Sequence, residues 1–170
     1  TINGEPIIYF YNVSNLNISN LEIDSDTVPV TLFGSVMSGS CSGCGDSSPN
    51  VSERSGGNGG FSSGMVLYNV KNSIINSNTI GGYIGMPGGT AGESESDEDA
   101  KITGGNGGPV SGILVYSGYN VTVTSNSISD ITGNYGGADL NAYSAGLGGS
   151  AIGIHLHDSS NILVKFNSIE

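Results

Sequence analysis

Tyr11, Tyr68, Tyr116 and His157 stand at one place in four copies of a recurring phrase, and Tyr9, Val66, Leu114 and His155 stand two residues before them. A file of aromatic rings suits sugars, because a ring face meets C–H groups while a phenol hydroxyl bonds the rim. It equally suits a neighbouring subunit, or a cover supplied by the chain's own insertions. His155 and His157 have the spacing of side chains on one face of a strand and could in principle hold a metal together. They occupy the aromatic and apolar columns, however, and Asp158 should point elsewhere, so no metal is assigned. The contact residues expected from the sequence are Tyr9, Tyr11, Tyr68, Tyr116, His155 and His157.

Other reactive groups lie between the phrases. The run Glu93-Ser-Glu-Ser-Asp-Glu-Asp99 offers oxygen ligands for Ca²⁺, which Asp24, Asp26, Asp130 and Asp139 could join. Its spacing matches no EF-hand or nonapeptide calcium motif, so a solvated acidic loop is expected and no resident cofactor. Cys41 and Cys44 form one CxxC in a Gly/Ser loop. A single pair cannot complete a four-ligand zinc site, which points to a local disulfide. Asn12, Asn17, Asn50 and Asn120 each open an Asn-x-Ser/Thr sequon, the acceptor pattern for N-glycans and an indication of an extracellular or cell-surface chain.

Charge narrows the partners. The 170 residues carry a net charge of -11, and the only fixed cations, Arg54, Lys71, Lys101 and Lys165, are scattered. Nucleic acid and anionic membrane surfaces are therefore disfavoured. No apolar run is long enough for a membrane-inserted helix, and no signal-peptide pattern is present.

The elements that must position these groups come from the phrase itself, 18 residues long without a gap, at 7–24, 64–81, 112–129 and 153–170. Its second place holds Ile8, Met65, Ile113 and Ile154, and its fourth holds Phe10, Leu67, Val115 and Leu156. The twelfth is Ile18, Ile75, Val123 and Val164, and the seventeenth is isoleucine throughout, at 23, 80, 128 and 169. Period-two alternation of β-branched residues reads as strand, and these columns should point inward. Asparagine marks the turns: Asn15, Asn72, Asn120 and Asn161 at the ninth place, then Asn78, Asn126 and Asn167 at the fifteenth, where Leu21 departs in the first copy. Asparagine tolerates left-handed backbone, and amides stacked at about 4.8 Å form ladders. A phrase too short to enclose a core must bury its apolar side chains against its own copies, so one solenoid domain over 1–170 is expected.

Strand, Asn corner, strand, Asn corner and short third strand resembles the right-handed parallel β-helix, especially the NosD-like repeats of the pectate-lyase-like superfamily, common in secreted and surface proteins. The resemblance implies an all-β fold of about four coils, and leaves function open among lyases, hydrolases, epimerases, adhesins and tailspikes. A lyase of this kind would need a strong cation beside a uronate, and no such cluster is present. A hydrolase would need carboxylates on neighbouring coils about 5 to 9.5 Å apart. Glu22, Asp24, Asp158 and Glu170 share no outward column on adjacent coils.

Insertions at 25–63, 82–111 and 130–152 open at one point of the coil and should leave from one side. Two close with the same word, Gly-Gly-Asn-Gly-Gly, at 56–60 and 104–108, and the third ends in Gly148-Gly149. Such segments either run extended and pack closely on each other or on the barrel, or serve as flexible linkers. The phrases begin and end almost at the chain termini with no capping segment, which predicts a longer parent chain or end-to-end stacking into a filament. The expectation is an extracellular structural or adhesive module without catalysis, engaging copies of itself or other surface proteins. The alternative is a carbohydrate-binding or carbohydrate-cleaving domain.

Overall fold

The computed structural model describes residues 8–24, 58–85, 87–88, 104–137 and 145–170. Cys41, Cys44, Asn50, Asp26, Asp139 and the acidic run 93–99 lie outside the described residues. Among the described residues every regular element is a strand. Each copy of the phrase supplies three: β1 (Ile8–Tyr11), β2 (Asn17–Ser19) and β3 (Glu22–Asp24) in coil 1; β4 (Ser62–Tyr68), β5 (Lys71–Asn76) and β6 (Thr79–Gly81) in coil 2. Coil 3 holds β7 (Val110–Tyr116), β8 (Tyr119–Thr124) and β9 (Ser127–Ile128), and coil 4 holds β10 (Ala151–His157), β11 (Ser160–Lys165) and β12 (Ser168–Ile169). β4, β7 and β10 begin two residues before the glycine that opens the phrase. Like strands pair in parallel into three four-stranded sheets, β1-β4-β7-β10, β2-β5-β8-β11 and β3-β6-β9-β12. The chain is an all-β parallel solenoid of about four coils.

Register follows the phrase residue for residue: Ile8 pairs with Met65, Met65 with Ile113, and Ile113 with Ile154. Ile23, Ile80, Ile128 and Ile169 pair in succession in the same way. The inward columns make one core of Ile18, Ile23, Met65, Leu67, Ile75, Ile80, Ile113, Val115, Val123 and Ile128, joined by Val70, Tyr83, Val110 and Val121. Each fully buried aliphatic side chain contributes about 1.5–3 kcal/mol, which is what holds three narrow sheets around one interior. The two ends differ. Ile18 and Ile23 in coil 1 are 5% and 4% exposed, whereas Val164 and Ile169 in the same columns of coil 4 are 43% and 57% exposed.

Corners are set by left-handed residues at three places, not two. The ninth place is one, with Asn15, Asn72, Asn120 and Asn161 at φ 50–61°. The sixth (Asn12, Asn69, Ser117, Asp158) and the fourteenth (Asn20, Ser77, Ser125, Phe166) also have positive φ. The fifteenth-place asparagines do not. They follow the corner, point inward and hold the rungs together. Asn78 N–H and Nδ2 both donate to Asn126 Oδ1 at 3.0 and 2.9 Å, and Asn126 repeats this on Asn167 Oδ1, so this ladder donates toward coil 4. Asn126 Nδ2 also bonds Ile75 O, leaving no buried amide atom of the ladder's centre unpaired. At the ninth place the direction reverses: Asn161 Nδ2 donates to Asn120 Oδ1, and Asn120 Nδ2 to Asn72 Oδ1, both 2.9 Å.

The described legs of the glycine-rich insertions are packed, not loose. In coils 2 and 3 the chain runs outward after the third strand (82–88 apart from 86, and 130–137), and the legs 58–61, 104–109 and 145–150 lead back into the next first strand. Successive legs exchange backbone hydrogen bonds: Gly59 N to Asn106 O, Gly107 N to Leu147 O, Gly85 N to Thr132 O, Gly88 N to Tyr135 O, Gly137 N to Gly105 O and Gly149 N to Asn134 O, all 2.7–3.1 Å. Glycines three residues apart, 85 and 88, 104 and 107, 133 and 136, 146 and 149, face a neighbouring leg so closely that a Cβ would overlap its backbone. Three residues is the repeat of an extended polyproline-II-like chain, and glycine at every third place lets such chains touch, as along the collagen axis. Among the described glycines only Gly82 has positive φ, so the legs need glycine for space and not for backbone freedom.

Candidate contact surface

On the outer face of the first sheet the fifth-place residues form a continuous stack. Ring centroids are 5.2 Å apart for Tyr11–Tyr68, 4.9 Å for Tyr68–Tyr116 and 4.6 Å for Tyr116–His157, with interplanar angles of 20°, 6° and 25°. The in-register strands cause this, because pairing Tyr11 with Tyr68, Tyr68 with Tyr116 and Tyr116 with His157 fixes neighbouring rings one rung apart. Offset stacking of this kind contributes about 0.5–1.5 kcal/mol per pair beyond area burial. Interior rings therefore spend both faces on each other and present edges and hydroxyls outward.

Third-place residues behave differently. Val66 and Leu114 are 0% and 5% exposed yet lie outside the inner core cluster, so the middle of this column is shielded on its outer side. The expected exposed apolar stripe is thus reduced to its aromatic half, because the two aliphatic residues are covered. At the coil 1 end Tyr9 and Tyr11 remain about half exposed, their rings nearly parallel at 22° with centroids 6.3 Å apart. At the coil 4 end His155 meets His157 edge-on at 6.2 Å, and His155 Nδ1 is buried with no hydrogen-bond partner among the described residues.

Asp158 does not point away from the histidines. Its left-handed backbone (φ 47°) turns the carboxylate back, and Oδ2 lies 3.3 Å from His157 Nε2. Among the described residues no three His, Cys, Asp or Glu side chains lie close enough to hold a metal ion. Asp130 sits exposed at a left-handed corner after β9.

The described sequons are not equivalent. Asn12 and Asn17 are exposed, and Asn12 uses its Oδ1 to accept from Asn69 Nδ2 at 2.6 Å. Asn120 commits its Nδ2, the atom a glycan would occupy, to Asn72. The second sheet's outer face is mixed, with Ile74 and Leu163 exposed among Asn17, Thr122, Asn76 and Lys165. Sequence reasoning missed Phe166, which is 81% exposed at a left-handed corner where the other coils place Asn or Ser, with Lys165 Nζ 5.5 Å from its ring centroid. The signal was available as an aromatic residue in the Asn20, Ser77, Ser125 column. No protein-family model, no curated protein and no solved structure matches the chain.

Proposed function

We propose that the chain is an extracellular or cell-surface structural and adhesive module, a right-handed β-helix of the pectate-lyase-like type with NosD-like repeats, that holds a partner surface through its aromatic file. The carrying observation is the Tyr11–Tyr68–Tyr116–His157 stack, ordered by strand register on one outer face. A right-handed winding accords with the rule for parallel crossovers. Pre-ordered aromatic side chains lose little entropy on contact, which favours binding by a rigid ridge. The packed glycine legs add a stiff flank beside it, suited to a module that bears contact. The partner is a second copy of the chain or another surface protein.

The test is a Tyr68→Ser, Tyr116→Ser double variant examined by sedimentation velocity over a concentration series and by binding to the native surface. Association weakened about tenfold or more, with strand-like circular dichroism retained, is the expected result. Undiminished association removes the file from the contact.

One observation keeps a carbohydrate reading in view: Tyr9 and Tyr11 offer half-exposed rings at the coil 1 end, where the interior rings do not. Saturable affinity for soluble polysaccharides, lost in Tyr9→Ala, would support a glycan partner. New reducing or unsaturated ends would make the domain an enzyme.

A further inference from the structure

We propose that the tyrosine file is a site of oxidative covalent modification, at which a peroxide acting through a haem peroxidase joins tyrosines of successive coils ring to ring. Tyr68 and Tyr116 lie 4.9 Å apart with planes 6° from parallel, and Tyr11 and Tyr68 lie 5.2 Å apart at 20°. Strand register holds each ring against its like in the next coil, so the ortho carbons of one phenol lie beside those of the next. The inference does not rest on the partner-binding reading, because the bond forms within one molecule.

The chemistry balances with the peroxide as oxidant. Each of two phenols gives up one electron and one proton to become a phenoxyl radical. Their unpaired density is shared onto the ortho carbons, and a carbon–carbon bond forms between one ortho carbon of each ring. The hydrogens displaced from those two carbons shift to the phenol oxygens, restoring aromaticity. The peroxide takes up the two electrons and two protons and leaves as two waters. Tyr11, 55% exposed, is the member open to the oxidant. The stack lets an electron vacancy made there pass to Tyr68 and Tyr116, which are less accessible. The product ties coil to coil across a long loop of chain, which restricts the unfolded state as a disulfide does.

Adjacency and exposure make opposite forecasts, and this gives the test its edge. Tyr135 is 73% exposed and Tyr119 53%, more than Tyr68 or Tyr116, yet neither pairs with another ring among the described residues. The full chain, dilute enough to be monomeric, is treated with hydrogen peroxide and a haem peroxidase, then separated by size and mapped by mass spectrometry. The expected product is a monomer two hydrogens lighter, with dityrosine fluorescence, a raised melting temperature, and Tyr68 joined to Tyr11 or Tyr116. Tyr68→Phe, which keeps the ring and the stack, should remove inter-coil cross-links at least fivefold, and Tyr135→Phe should change nothing. Tyr116→Phe, in which Tyr11–Tyr68 remains, should leave that single cross-link. Bonds centred on Tyr119 or Tyr135, products formed only between molecules, or no dityrosine at all would each overturn the proposal.

Discussion

Replacing Gly133 by alanine tests whether the glycine legs are a packed lattice. A methyl group there would overlap the carbonyl oxygen of Gly149, well inside the 3.0 Å that real Cβ atoms respect, and the obstacle is backbone that cannot rotate away. Relief requires the outgoing leg 130–137 and the returning leg 145–150 to part by about 1 Å, an overpacking that costs about 1–3 kcal/mol. That movement also strains the Gly149 N–H bond to Asn134 O, 2.7 Å long, worth about 1 kcal/mol more. The total is about 2–4 kcal/mol, or about 5–15 °C in Tm for a chain of this size. Gly148→Ala is the matched control. Its Cβ would meet only Asn134 O, at 3.7 Å, and neither glycine has positive φ. It should be neutral, or stabilising by about 0.4–1 kcal/mol through the unfolded chain. Thermal and urea unfolding followed by circular dichroism would be read with hydrogen exchange at the Gly107 and Gly149 amides, since solenoids can open locally. Equal stability of the two variants would show that the legs behave as linkers and refute the packing argument.

Two further substitutions probe the coils. Asn126→Leu leaves Asn78 N–H and Ile75 O without their buried partners and should cost about 2–4 kcal/mol, with faster exchange at the Asn78 amide. A loss below about 0.5 kcal/mol would show the ladder to be incidental. Phe166→Asn relieves a left-handed aromatic residue and should stabilise by about 0.5–1.5 kcal/mol in urea unfolding. A destabilised variant would mean that the phenyl ring earns its strained place through packing.

The columns were legible because a parallel solenoid places like residue over like, so a repeat in sequence becomes a neighbour in space. Met65, Ile113 and Ile154 share the second place of the phrase and are paired neighbours in the first sheet. Left-handed corners were half legible. Asn at the ninth place announces one, but the fourteenth mixes Asn20, Ser77, Ser125 and Phe166, and the conspicuous Asn78 and Asn126 beside it serve the ladder instead. The outer face could be assigned from alternation, whereas the shielding of Val66 and Leu114 depends on what crosses that face. Sequence could likewise not tell that stacking would consume the tyrosine faces. For the insertions, the repeated Gly-Gly-Asn-Gly-Gly announced a recurring structure. Which leg touches which depends on lateral contacts between segments with no side chains to carry a pattern.

The two asparagine ladders run in opposite senses, one handing its amide hydrogens toward coil 4 and the other toward the start of the chain. In an α-helix the peptide dipoles align and accumulate toward the ends, but here the polarities of the two amide columns oppose each other, and parallel sheets add little of their own. The two columns therefore offset one another along the axis, where columns of one sense would add with every further coil.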